Sequence, residues 1–240
     1  MNNSFPNKST IEEIRKRFDR SVDNYANLET GQRSLPDAAL VMELTTEAAR
    51  RIVPDMKRIL DIGCGPGNNT LKMLEKIPNL DCDLLDLSEN MLAHAVERIR
   101  PRTSGNIRTF PCDFRVADLP ENHYHAVFAA AVLHHLRDDE EWKRAFAKLY
   151  TITAPGGTVW ITDLVTHDHA VIESFMRERY GEYLVSVGGE NYRDAAFALI
   201  EHEDTPRSLF YQMDLLKKSG FRSVELLHKT SSYVAFGAVK

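Results

Sequence analysis

The chain has 240 residues, 43% of them hydrophobic and 27% charged, with a net charge of −5; these ordinary globular values suit one buried α/β core with an appendage, and the length is rather short for two full domains. No apolar run approaches the roughly 20 residues that span a bilayer, and the N-terminal "MNNSFPNKSTIEEIRKRFDR" has no apolar signal region. The mild acidity exerts no long-range pull on nucleic acid. A soluble, cytoplasmic protein is therefore expected, with no membrane partner and no direct nucleic-acid binding.

In chain order, Thr10 to Arg20 places apolar residues at 11, 14 and 18, the stripe of an amphipathic helix. A second helical pattern runs from about Pro36 to Ile52, with Pro36 in its first turn and Pro54 ending it. Together they read as a helical cap over residues 1–54. From 55 to 165 strand and helix signals alternate, the mark of βαβ units and a parallel sheet. The strands and their exits are "RILDIG", "LDCDLLDLS", "NIRTFPCDF", "YHAVFAAAVLHHL" and "GTVWITDLV". The helices are "NNTLKMLEKI", "SENMLAHAVERIR" with Ser88 as N-cap, and "DDEEWKRAFAKLYTIT". Ala154-Pro155-Gly156-Gly157 reads as the turn into the fifth strand. Residues 166–206 carry helical patterns and no strand, and read as a lid inserted in the sheet. Residues 207–240 give a helix ended by Gly220 and then two strands in an antiparallel hairpin. The fold class expected is α/β: a single domain built on a Rossmann-like doubly wound sheet of seven strands, mostly parallel, with an antiparallel C-terminal hairpin.

The chemistry starts at "ILDIGCGPGNNT", residues 59–70. A strand that stops on Asp61 and turns through Gly63, Gly65 and Gly67 brings bare backbone close to a ligand, and nucleotides are the usual one. A dinucleotide fold wants G-x-G-x-x-G, and here the third glycine comes one residue early; no Lys-Ser/Thr follows, which excludes a Walker-type phosphate loop. Open parallel sheets bind ligands at the carboxyl ends of their strands. Asp86 ends the second strand, where a carboxylate accepts from both hydroxyls of a ribose. Asp113 ends the third, offering an acceptor for an exocyclic amine, with Phe114 as an aromatic face for a purine. Cysteines 64, 82 and 112 are odd in number and lack C-x-x-C spacing, so neither a disulfide framework nor a zinc site is indicated.

These motifs resemble those of the class I S-adenosylmethionine-dependent methyltransferases: "LDIGCGPG" is similar to their first motif, "LLDLSENML" to the acidic ribose motif, "PCDF" to the adenine motif, and "AAAVLHHL" with "TAPGGTVWITD" to the later pair. The resemblance implies S-adenosyl-L-methionine as cofactor and transfer of its methyl group to a small-molecule acceptor. It implies cofactor contacts from Asp61, Gly63, Cys64, Gly65, Gly67 and Asn69, from Asp86, Leu87 and Met91, from Cys112, Asp113 and Phe114, and from Ala130 and His135. His134, His135 and Asp163 are the candidates for acceptor-side catalysis. An NAD enzyme is the competitor, and it leaves the displaced glycine and "PCDF" unexplained. The acidic "RDDEEW" at 137–142 is explained by helix-start electrostatics, so no metal is expected. The flanking "FDRSVDNYANL" and "IEHEDTPRSLFYQMDLLKKSGF" are similar to parts of the carboxy-S-adenosylmethionine synthases, which modify the cofactor for use on a tRNA wobble uridine; that similarity implies roles for Tyr25 and Arg193 in holding the cofactor and its added carboxylate. A non-catalytic S-adenosylmethionine-binding module is the third alternative. The phenylalanines and tyrosines at 175, 180, 183, 192, 197, 210 and 211 suit a lined pocket, a homodimer contact or core packing.

Overall fold

The computed structural model describes residues 5, 8–26 and 32–240. Asn27 and Leu28, the end of the N-terminal flanking motif, lie outside them. The cap consists of α1 (Ile11–Asp19), a short α2 (Val22–Ala26) that the periodicity does not announce, and α3 (Ala38–Ile52). Thr10 opens α1 with a capping box, its hydroxyl taking the Glu13 N–H while the Glu13 carboxylate takes the Thr10 N–H. Along the stripe at 11, 14 and 18, Ile14 is buried but Ile11 is 46% exposed. α3 starts at Ala38, after Asp37 at φ 58°, so Pro36 lies before the helix and not in its first turn.

The core follows the expected order: β1 (Arg58–Ile62), α4 (Asn68–Lys76), β2 (Asp81–Asp86), α5 (Glu89–Ile99), β3 (Ile107–Pro111), β4 (Tyr124–Ala130), α6 (Asp139–Ile152) and β5 (Thr153–Leu164). The insert is α7 (Ala170–Gly188) and α8 (Glu190–Glu203), and the chain closes with α9 (Leu209–Ser219), β6 (Ser223–Thr230) and β7 (Tyr233–Val239). Among the described residues the sheet has seven strands in the order β3-β2-β1-β4-β5-β7-β6. β1 through β5 pair in parallel, and β7 runs antiparallel between β5 and β6. The reversal of strand order between β1 and β4 is where such a sheet opens a crevice at its carboxyl edge. One element differs from expectation: Ala154–Gly157 is not a free turn but the first stretch of β5, with a register shift opposite Tyr124–Ala126. The backbone there is paired because Gly156 N–H donates to Lys240 O and Lys240 N–H to Gly157 O.

Side-chain alternation along the strands builds a core on each face of the sheet. Leu60, Ile62, Val127, Ile161 and Phe236 pack with Trp142, Phe146 and Leu149 of α6 and Leu216 of α9. Ile59, Leu84, Phe128 and Trp160 face Ala49 of α3, Met73 of α4 and Ala95 of α5. The insert has its own small cluster around Tyr180, Leu184 and Tyr233, with Tyr183, Tyr192 and Phe197 packed on it. Tyr211 packs partly buried on the main core, whereas Phe175 and Phe210 are 49% and 75% exposed. None of these aromatics lines the strand-end cavity described below. No helix among the described residues is long and apolar enough to cross a membrane.

Gly237 sits opposite Trp160 in the β5–β7 ladder. A Cβ there would lie 2.3 Å from Trp160 Cε3 and from the Val159 carbonyl. Gly237→Ala should therefore cost about 1–3 kcal/mol or more by overpacking, read as a lower urea midpoint at unchanged slope.

Candidate functional site

The glycine loop between β1 and α4 is shaped by two constraints. Gly63 has φ +63°, and a Cβ on it would meet Val132 Cβ at 2.9 Å. Gly67, with φ +81°, has the end of the Ile99 side chain 2.7 Å from where its Cβ would be. Both positions require glycine on conformational grounds and bring the loop close to its neighbours. Gly65 differs, because a Cβ there would enter open space: this is backbone laid bare to the cavity. Asp61 is fully buried and holds the start of α4, accepting from Thr70 Oγ1 at 2.8 Å and Thr70 N at 3.2 Å. Burial pushes its carboxyl up to about 7 against those hydrogen bonds.

Asp86, at the end of β2, accepts from Gly65 N at 2.8 Å with one oxygen and from Ser88 N at 2.9 Å with the other. Burial raises its carboxyl and the two backbone donors oppose that rise. Each oxygen keeps lone-pair capacity, and Asp86 faces a cavity at the carboxyl edge of the sheet. The wall contains Gly63, Cys64, Gly65 and Asn69 of the loop, Leu87 and Met91 beside Asp86, and Cys112, Asp113 and Phe114 after β3. Ala130 and His135 close the far side and Tyr25 comes from the cap. Asp113 is already engaged: Arg115 grips it through Nε at 2.9 Å and Nη2 at 2.6 Å while reaching Glu141 at 2.7 Å. Against the upward push of burial, Arg115 holds that carboxyl below the usual range. Cys64 is buried and its thiol is pushed well up by burial and by Asp86, which makes it inert.

At the exit of β4 the backbone is strained, with Ala131 at φ 53°, an uncommon conformation for a residue with a Cβ. The turn Leu133–His135 follows. His134 points away from the cavity wall: its Nδ1 meets Asp163 Oδ1, its backbone N–H donates to Asp163 Oδ2 at 3.1 Å, and its Nε2 is 3.6 Å from Asp204 Oδ1. Burial alone would lower it, but the Asp204 and Asp163 carboxylates push it up to about 9, so it is an imidazolium at neutral pH. His135 lies on the cavity wall, with Nδ1 3.2 Å from Asp204 Oδ1. Burial and the His134 charge lower its titration below the usual histidine value, so it stands neutral. The donor atoms of His134, His135 and Asp204 lie within 4.8 Å of one another, and the His134 imidazolium supplies the positive charge the carboxylates need there.

Residues 59–157 match the family model of a methyltransferase domain. A carboxy-S-adenosyl-L-methionine synthase of Shewanella sp. is 23% identical over 87% of this chain and 86% of its own length. An uncharacterised methyltransferase of Mycobacterium tuberculosis is 31% identical over 45% of this chain and 51% of its own. Among solved structures, Haemonchus contortus phosphoethanolamine N-methyltransferase 2, in complex with phosphomonomethylethanolamine and S-adenosylhomocysteine, matches with TM-score 0.66 at 20% identity, over 98% of this chain and 61% of that one. Residues 59–157 are thus a methyltransferase domain, and the chain as a whole shares the fold of the matched methyltransferase structure. It spans about half of the mycobacterial relative and under two thirds of the nematode enzyme.

Several residues anticipated at the cofactor or at the acceptor lie off the cavity wall. Asp61 and Gly67 lie behind the wall, shaping the loop instead of facing the cavity. His134 and Asp163 form a buried pair beneath it. Arg193 lies on α8, bonded to Asp194 at 2.8 Å and remote from the wall. Conversely, Phe18 lines the cavity, its ring 5.6 Å from Tyr25 and 6.4 Å from His135, although its place in an apolar stripe reads as core. Asp204 lies in the flanking "IEHEDTPRSLF" stretch, but nothing in its sequence points to the histidines, because only the docking of the insert brings it under "LHH".

Breaking a buried pair leaves a charge uncompensated. Asp163→Asn should cost about 3–5 kcal/mol of stability at neutral pH and lower the His134 titration. Because the folded-state value of His134 is raised, its stabilising share is complete below about 6.5 and is lost as pH rises through about 9. The stability gap between wild type and variant, measured by urea unfolding, should narrow across that window.

Proposed function

We propose that the strand-end cavity binds S-adenosyl-L-methionine and that the protein transfers its methyl group to a small-molecule acceptor in a soluble, cytoplasmic setting, with 1–54 as cap, 55–165 as cofactor core, 166–206 as lid and 207–240 completing the sheet. The observation that carries this reading is one cavity shared by Asp86, the Gly63–Gly67 loop and His135. Asp86 would hold the ribose hydroxyls through its remaining lone pairs, and Phe114 beside Asp113 would face the adenine. The exposed backbone at Gly65, where a Cβ would meet nothing, fits a close-lying amino-acid moiety. When bound, the sulfonium supplies an already activated methyl, its S–C bond breaking with the electron pair left on sulfur. The protein's part is alignment, and removal of a proton where the acceptor must lose one. His135 suits that second task, because it is neutral and on the wall, and the proton would pass to its cavity-facing nitrogen.

The carboxy-synthase reading draws support from the Shewanella relative, whose match covers 87% of this chain, and from Tyr25 on the wall. It wants a cation beside an added carboxylate. Among the described residues on the wall the arginine is Arg115, already shared by Asp113 and Glu141, and Arg193 is remote. This favours methyl transfer.

Native mass spectrometry of the purified protein should find S-adenosylmethionine or S-adenosylhomocysteine; a carboxylated cofactor would reverse the order of the two readings. Asp86→Asn should weaken S-adenosylhomocysteine binding about 10- to 150-fold by calorimetry, equivalent to about 1.5–3 kcal/mol for a charge-assisted contact, in a variant whose urea midpoint confirms folding. Unchanged affinity would remove Asp86 from the ribose.

A further inference from the structure

The insert contributes more than a lid. Its last helical residues dock under the β4 exit through a set of backbone contacts: Ser9 N–H donates to His202 O at 2.9 Å, Thr205 N–H to His134 O at 2.8 Å, and Lys8 Nζ to the carbonyls of Glu201 and Asp204, each at 2.5 Å. Glu203 is 4% exposed and takes Arg17 in a two-pronged pair at 2.8 and 2.5 Å. The next residue, Asp204, is 9% exposed and brings its carboxylate beside both histidine rings.

We propose that Asp204 is a positioning residue for His135, holding the neutral ring as the Nδ1–H tautomer so that the Nε2 lone pair faces the cavity. This rests on His135 being the base of the methyl-transfer reading. The geometry behind it is the split between the two ring nitrogens. Nδ1 is closed off from solvent and has no aligned hydrogen-bond partner, and the nearest acceptor is Asp204 Oδ1 at 3.2 Å. A lone pair on Nδ1 facing that carboxylate would be repelled, whereas an N–H is attracted. Because His135 lines the cavity while its Nδ1 is buried, Nε2 is the nitrogen it can present there. A carboxylate that sets a histidine's tautomer and then steadies its imidazolium is the division of labour of a hydrolase triad.

The surrounding charges fit the same role. His134 on the same turn is cationic and is matched by Asp163 of β5. Arg17 of α1 is matched by Glu203, and Arg115 by Asp113 and Glu141. Arg137 donates to the carbonyls of Ser9 and Glu203, and Lys8 lies on the carbonyl side of Asp204. The Asp204 carboxylate, 3.6 Å from the cationic His134 ring, also faces the neutral His135 ring at 3.2 Å. When the acceptor's bond to hydrogen breaks and its electron pair goes to the methyl carbon, the proton on Nε2 makes His135 an imidazolium opposite that carboxylate.

The test needs no acceptor. Imidazole nitrogen shifts of the full-length, ¹⁵N-histidine-labelled protein with S-adenosylhomocysteine added, assigned with His135→Gln, report tautomer and charge directly. At pH 7.5 His135 should be neutral with the Nδ1–H form in about tenfold excess or more, and Asp204→Ala should shift it toward Nε2–H. A neutral His135 in the Nε2–H form, or an Nδ1–H form that persists in Asp204→Ala, overturns the role of Asp204 and leaves the base reading standing. An imidazolium signal at pH 7.5 overturns the base reading, and the proposal with it. The wild-type spectrum decides even if the alanine variant fails to fold.

Discussion

The site depends on a hydrogen bond between two loops: the Asp86 carboxylate accepting the Gly65 N–H at 2.8 Å. It ties the turn after β1 to the end of β2, and its other oxygen starts the next turn through Ser88. A buried carboxylate held by backbone donors has a fixed direction, so its free lone pairs are aimed before any ligand arrives. The cap is fastened to the same corner. Asp19 accepts from Ser88 Oγ at 2.6 Å, and Asn68 at the start of α4 donates to the Tyr25 carbonyl at 3.2 Å. Phe18 and Tyr25 are thereby held over the cavity by the loops that form its floor.

The opposite wall is organised by charge compensation in a dry interior. Two histidines and two acids meet below the β4 exit, and the net result is one cationic ring and one neutral ring on adjacent residues. That separation follows from geometry. His134 sits between Asp163 and Asp204, while His135 shares only Asp204 and feels its neighbour's charge. Paired titratable groups driven apart by their surroundings are a common basis for acid–base roles.

The order of elements was legible in the sequence because period-2 and period-3.6 patterns are strong in the core and glycines mark its turns. So were the strand-end residues: Asp86, Asp113 and His135 share one cavity because a parallel sheet delivers consecutive strand ends to one edge. Features that depend on packing between distant segments were not legible. Asp61 looks like a ligand group at a strand end, yet its side chain turns back to Thr70. Phe18 looks like core, yet α1 lies on the cavity mouth. Asp204 is some seventy residues from the histidine it contacts, and neither the helical pattern of the insert nor the flanking similarity of its stretch indicates that contact. The Ala154–Gly157 segment has turn composition, but the chain's last residue pairs with it and extends β5.

In a crystal structure of the full chain with S-adenosylhomocysteine, the nucleoside should lie between the glycine loop and Asp86, with both ribose hydroxyls on the Asp86 carboxylate, adenine against Phe114 and the sulfur on the His135 side. Nucleoside density elsewhere, or a ribose without contact to Asp86, would overturn the proposed binding mode.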